Sequence, residues 1–359
     1  MKWAWIAGCA VVAGAWTGGI RAEEADWLER IDLKGDFRLR YEQIDREGVA
    51  KRDRYRYRMR IGAGIDLYED IEFVLSFATA ADNPISRNVT FGANEALDEF
   101  GVDLAYVRWH ALDELNLLAG KMKNPMVQPG GAQLIYDNDL NPGGVAAQYT
   151  AGTWFANAAV VWIEERAADD DSTLYHLQGG TDLQLGENLT LMAGAGFADF
   201  TNTVGNLPFI FALPAGNTVD DDGRYIYEYA VAEFFTELEI SLGKLPLLLF
   251  AHYADNVEVS QEDTAFTVGG YAGKGELRGD WQAGWSYKDV EADAVVGSFT
   301  ESDFAGGGTD VTGHVLKGRY FLRDGFSIGA TVFLNEAGEY RGELHDYRRL
   351  QLDLDFKFD

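Results

Sequence analysis

Residues 52 to 67 read RDRYRYRMRIGAGIDL, and no other stretch limits the fold of this chain so tightly. Arg52, Arg54, Arg56, Arg58 and Arg60 take the even positions, followed by Gly62, Gly64 and Asp66. Tyr55, Tyr57, Met59, Ile61, Ala63, Ile65 and Leu67 take the odd ones. A strand sends successive side chains to opposite faces, so the segment has one cationic face and one apolar face. Wound as a helix, it would spread guanidinium groups around every side. Two kinds of protein use such strands. A soluble sheet packs its apolar face on a core, whereas a transmembrane barrel turns that face to lipid and its polar face to a watery lumen.

The rest of the chain decides between them. Alternation recurs in Phe37, Leu39 and Tyr41 against Asp36, Arg38, Arg40 and Glu42, and in Trp281, Ala283, Trp285 and Tyr287 against Gln282, Gly284, Ser286 and Lys288. It returns in Leu350, Leu352, Leu354, Phe356 and Phe358 against Gln351, Asp353, Asp355 and Lys357. Short turn signals fall near residues 68–70, 111–114, 151–152, 186–188, 241–246, 275–280 and 322–325. Between them lie long polar connections near 45–51, 82–101, 122–143, 164–173, 201–224, 255–264, 289–312 and 335–346. Fifteen connections predict about 16 strands, an even number with short turns at one end, as outer-membrane barrels have. Trp154, Trp162, Tyr175, Tyr253 and Trp281 lie near strand ends, where an interfacial girdle belongs. A soluble propeller would show a repeat for each blade, and the chain has none. The fold class expected is therefore all-β, a transmembrane antiparallel β-barrel with short periplasmic turns and long extracellular loops. Val102–His110 alternates poorly, and Glu228 sits awkwardly among residues that the pattern of 225–240 turns to lipid.

Composition fits an exported barrel. The 359 residues include 41 Gly and only 7 Pro, and Pro interrupts strand ladders. Lys2 followed by the apolar run Trp3–Trp16 has the form of an export leader, with cleavage expected after Ala22. Residues 1–22 are then a signal peptide and 23–359 a single barrel domain. Removing the leader takes away Lys2 and Arg21 and no acid, which carries the formal charge from −28 to −30. So acidic a protein repels nucleic acid phosphate. The lone Cys9 lies in the leader, so the mature chain has no disulfide.

Several segments also resemble a known family. Gly35-Asp36-Phe37-Arg38-Leu39-Arg40-Tyr41, the arginine strand, Gly120-Lys121-Met122-Lys123-Asn124-Pro125, Asp137-Asn138-Asp139-Leu140-Asn141-Pro142-Gly143, and Asp303-Phe304 with Gly306-Gly307-Gly308-Thr309 are similar to segments of the bacterial "putative porin" family. The resemblance implies a water-filled outer-membrane barrel that passes small hydrophilic solutes or ions. It implies no particular solute.

Two regions are candidate sites. Arg38 and Arg40 on one strand and Arg54, Arg56, Arg58 and Arg60 on the next would line the pore as a cationic wall, since paired strands lie about 4.8 Å apart. Charged side chains lining a pore tune which ions pass, and this row predicts a mild anion preference. The third long loop, 122–143, is the candidate constriction by analogy with sixteen-stranded porins, with Lys123, Asp137 and Asp139 supplying charges of both signs. Asp137, Asp139 and Asn141 have the first three spacings of a calcium loop, but Pro142 and Gln148 stand where such a loop needs Gly and Glu. The acidic runs 169–171 and 220–222 are expected to be solvated, with weak divalent-ion bridging to lipopolysaccharide as the other reading. The five histidines include no HExxH pair, and nothing in the sequence specifies a metal or a cofactor. A plugged barrel with a binding or structural role is the alternative, and an outer-membrane hydrolase a more distant one. Trimers are the usual assembly of sixteen-stranded barrels, though no residue here fixes a homotrimer.

Overall fold

The computed structural model describes residues 30–80, 82–92 and 97–358. The proposed leader lies outside the described residues. Sixteen long strands follow one another: β1 Ile31–Arg46, β2 Arg52–Tyr68, β3 Ile71–Thr79, β4 Phe100–Leu112, β5 Leu115–Lys121, β6 Gly143–Ala151, β7 Trp154–Glu164 and β8 Ser172–Gly186. The second half comprises β9 Leu189–Phe200, β10 Tyr229–Leu242, β11 Leu245–Asn256, β12 Thr264–Lys274, β13 Trp281–Val290, β14 Val311–Arg323, β15 Phe326–Ala337 and β16 His345–Phe358. Each pairs antiparallel with the next. β16 returns to β1 with Arg40 opposite Asp353 and Leu39 opposite Leu354, which closes the sheet. Closure leaves no edge, so every strand bonds on both sides, as a structure immersed in lipid requires.

Orientation follows the inversion expected of a membrane barrel. Tyr55, Ile61, Trp285 and Leu352 are 62%, 42%, 46% and 44% exposed on the outer face. Arg40, Glu42 and Arg56 are 6%, 0% and 7% exposed within. The aromatic side chains expected near strand ends, including Trp154, Trp162 and Trp281, are exposed on the outside.

The two irregular regions have local causes. Between β3 and β4 the register jumps, with Ser76 opposite Leu104 but Phe77 opposite Val102. Asp103 is thus an extra residue, a β-bulge, and it brings both Asp103 and Leu104 into the buried interior. The alternation of 102–110 breaks for that reason. Glu228 lies before β10, and its carboxylate accepts the Thr203 hydroxyl at 2.6 Å. It is a loop residue outside the strand.

Three long connections fold back into the barrel. Residues 122–142, 201–228 and 291–310 bring Met122, Leu134, Ile135, Tyr136, Tyr225, Val295, Val296, Phe299 and Phe304 into one buried apolar cluster with inward residues of β4 to β15. Phe299 is its hub, meeting Tyr136, Phe200 and Phe209 edge-on at centroid distances of 5.4, 5.5 and 6.1 Å. Polar staples hold the same loops together. Asn217 Nδ2 donates to the carbonyls of Ala292 and Val295, each at 2.8 Å, and Tyr229 donates to Asp293 at 2.8 Å. No side chain of β1, β2 or β16 belongs to this cluster.

Candidate functional site

The strands outside the apolar cluster carry the charges. On β1, even positions point inward, so Asp36, Arg38, Arg40 and Glu42 form a column. It is met by Arg54, Arg56, Arg58 and Arg60 from β2 and by Arg349, Gln351, Asp353 and Asp355 from β16. Arginine can fork two parallel hydrogen bonds onto one carboxylate, and the column is built from such forks. Arg40 donates to both oxygens of Asp353, at 2.7 and 2.8 Å. Asp36 binds Arg58 and Arg60, each at 2.7 Å. Glu42, fully buried, accepts from Arg54, from Arg349 Nε at 2.8 Å and from Gln351 at 3.0 Å, with Arg56 at 3.7 Å. Isolated, a buried carboxylate would be costly, and its position among guanidinium groups compensates.

Loop residues complete the column. Asp303 reaches from 291–310 to Arg349 at 2.7 Å and Arg40 at 3.2 Å, and accepts from Gln351 at 2.9 Å. Burial opposes the charge on Asp303, but Arg349 and Arg40 outweigh it and hold the carboxyl well below its ordinary range. The connection after β3 also folds inward. Arg87 pairs with Asp103 at 2.8 Å, and Asn88 accepts from Arg38 at 2.7 Å through Oδ1 and from Arg56 at 2.9 Å through its carbonyl.

The loop 122–142 crosses the interior. At one wall Gln178 of β8 clamps Val127, accepting from its N–H at 2.7 Å and donating to its carbonyl at 3.2 Å. Gly130 donates its N–H to Glu237 of β10. Gly130 has φ +59°, and a side chain there would strike the Phe250 ring at 2.1 Å, so only glycine allows this approach. Behind the clamp lies a buried cluster, in which Glu233 accepts from His176, His252 and Gln178, each at 2.7 Å. At the opposite wall Asp139 stands 3.7 Å from Arg60. In a ring of sixteen strands β2 lies across from β10, so the loop runs from the acidic wall to the arginine wall.

The sequence-predicted residues therefore divide. Arg38, Arg40, Arg54, Arg56, Arg58 and Arg60 all sit on the inner face beside one another. Lys123 and Asp139 roof a cavity of about 700 Å³ at the short-turn end, shared with Asp36, Arg58, Arg60 and Arg108. Enclosure within the barrel, with Arg60 nearby, lowers the Lys123 pKa. Asp137 differs from the expected charge at a constriction. It is 3% exposed and staples two loops, taking the Ser302 N–H at 2.8 Å and the Asp139 N–H at 2.7 Å. Burial, and then the Asp139 charge, push its pKa up to about 7. Asn141 turns away to Asp103 at 2.7 Å, so the spaced trio Asp137, Asp139 and Asn141 does not converge. The acidic runs 169–171 and 220–222 are exposed. Glu233 was not singled out by the sequence pattern, although its inward position between Val231 and Phe235 was a usable sign.

Comparison with known proteins gives a consistent result. A family model described as "Putative porin" matches residues 45–226 and 227–358. Among solved structures, Pseudomonas putida OprB at high pH aligns with a TM-score of 0.63 at 11% identity, over 94% of this chain and 96% of that one. A triple mutant of the Rhodopseudomonas blastica porin aligns with a TM-score of 0.52 at 11% identity, over 91% of this chain and 100% of its own. A loop-deletion mutant of OmpT, an outer-membrane protein of Vibrio cholerae, gives 0.51 at 12% identity, over 92% and 100%. At these identities the likeness concerns the fold. No curated protein matches the sequence.

Proposed function

The chain belongs to the "putative porin" family, and from that premise we infer that charge along β16, β1 and β2 selects what passes through it. The protein is a channel of the bacterial outer membrane for passive diffusion of small hydrophilic solutes, and its fold is that of a channel rather than an enzyme. The apolar cluster occupies the β4–β15 side, and the polar column of β16, β1 and β2 stays outside it. The path in this reading follows that column, with Arg38, Arg40, Arg54, Arg56, Arg58 and Arg60 lining it. The loop 122–142 narrows it, with Lys123 and Asp139 presenting opposite charges. Asp137 acts in this reading through the loop's packing.

One observation carries the anion preference. Around Glu42, four arginines (Arg40, Arg54, Arg56 and Arg349) meet three carboxylates (Glu42, Asp303 and Asp353), and Arg38 on the same strand as Arg40 adds a fifth guanidinium bound only to Asn88. The wall keeps a positive excess although the whole chain carries a formal −28. Reversal potentials in a salt gradient across planar bilayers test this: anions are expected to permeate more readily, and a cation preference persisting at high salt would overturn it. Export by the 1–22 leader, contact of the acidic loops with lipopolysaccharide and assembly as a homotrimer belong to the same proposal. Mass spectrometry of the mature N-terminus and native mass in detergent test the leader and the assembly.

A further inference from the structure

Arg38 stands apart from its neighbours. Arg40, Arg54, Arg56, Arg58 and Arg60 each have a carboxylate within 4.0 Å. Arg38 has none among the described residues, and its one hydrogen bond goes to the neutral Asn88 amide. The carboxylate opposite it in the strand register, Asp355 of β16, is engaged by Arg319 at 3.3 Å. Its other register partner, Arg58, repels it. Asn88 is fixed from two further directions, its carbonyl taking Arg56 at 2.9 Å and its amide donating to Ser86 at 3.2 Å. Arg56 in turn shares Glu42 with Arg54 and Arg349 and lies farthest from it, at 3.7 Å. The Nε–H groups of Arg38 and Arg56 are both buried without an acceptor among the described residues. Arg38 is half-buried, whereas Arg40 and Arg56 are buried, so the under-compensated group is less enclosed than these two neighbours.

We propose that Arg38, held by Asn88 and backed by the charge of Arg56, is a binding subsite for the carboxylate or phosphoryl group of a small anionic solute. This rests on the channel reading above and adds a solute class to it. A guanidinium presents paired donors that match such oxyanions in plane and spacing, which a spherical halide cannot exploit. The excess of two positive charges in this part of the wall suits a dianion. A solute at Arg38 makes one charge-assisted contact where the wall has no carboxylate of its own, then moves on, because a single contact is weak enough to release.

The experiment uses the full barrel in planar bilayers, carrying chloride current, with succinate and inorganic phosphate as separate probes. Each is expected to reduce the chloride current in a saturable way. Arg38→Gln is expected to raise the half-blocking concentration about tenfold or more, the effect of losing one charge-assisted hydrogen bond. Asn88→Asp supplies an internal carboxylate between Arg38 and Arg56, and is expected to abolish the block while keeping the barrel intact by circular dichroism. Arg348→Gln, on the outer face of β16 where Arg348 pairs with Asp346 at 3.0 Å, is expected to shift the block by less than about threefold. Block by succinate alone identifies carboxylate solutes, block by phosphate alone identifies phosphoryl solutes, and block by both supports a general oxyanion subsite. Absence of current in the unaltered protein would overturn the channel reading. Current without block by either anion, or block unchanged in Asn88→Asp, would overturn the subsite alone.

Discussion

The two sides of the barrel interior are made of opposite materials. Across β16, β1 and β2 the inward face is a lattice of arginine and carboxylate, with Glu42 fully buried among three arginines. From β4 round to β15 inward positions meet three returning loops and gather in an apolar cluster centred on Phe299, with the Glu233–His176–His252 group buried on the same side. Strand geometry is the same on both sides, so alternation alone cannot account for the difference. What differs is whether a loop brings an apolar surface back to cover the wall. Where it does, burial of apolar area stabilises packing. Where it does not, charges remain and satisfy one another across strands. The charged side belongs to the wall and so to barrel stability, and the apolar side belongs to loop docking.

That distinction can be broken by experiment. The largest effect is expected from Glu42→Ala, which leaves Arg54, Arg56 and Arg349 facing one another around a buried position. Removing one partner of a buried ion pair costs about 3–5 kcal/mol, measured as a loss of barrel stability in urea unfolding from lipid vesicles. A loss below about 1 kcal/mol, the range of a surface ion pair, would mean that water already screens this wall. Phe299→Ala also removes about 3–5 kcal/mol of packing, but from the loops. The barrel's unfolding midpoint is expected to hold while single-channel conductance rises, and a midpoint falling as far as in Glu42→Ala would erase the contrast.

Gln178→Leu is a smaller perturbation. It releases Val127 from both of its bonds, at about 1–3 kcal/mol for groups left unsatisfied. Hydrogen exchange at the Val127 amide is expected to quicken about tenfold or more, and unchanged protection would place the loop's anchor elsewhere. The remaining effect concerns pH. Asp137 keeps its proton in the folded loop up to about pH 7, whereas an unfolded Asp loses it near 3.9. Between those values the folded state binds more protons, so docking of 122–142 weakens as pH rises from about 4 to 7 and levels off above. Amide exchange across residues 134–140 should accelerate over that window, and a flat profile would remove Asp137 from the account.

Much of this architecture is legible in one dimension. Period-2 alternation is a local property, so Arg52–Leu67 announces both a strand and its two faces without help from any other residue. Turn chemistry is equally local, and the short signals at 68–70 and 322–325 coincide with the ends of β2 and β14. The bulge at Asp103 escaped that reading because it depends on how β4 meets β3, and the alternation of the isolated segment only looks faulty.

The sequence by itself determined the strands, their order, and the inversion that turns tyrosine and leucine outward and arginine inward. It determined these because each is written in residues two apart. Only the tertiary structure decided which arginines are neutralised and which is left over, since Glu42 meets Arg349 across 307 positions and Asp303 arrives from a loop. It also decided that Asp137 serves packing while its near neighbour Asp139 faces Arg60. Such outcomes rest on the closing of the ring and the return of the loops, which bring together groups whose separation in the chain carries no trace of their contact.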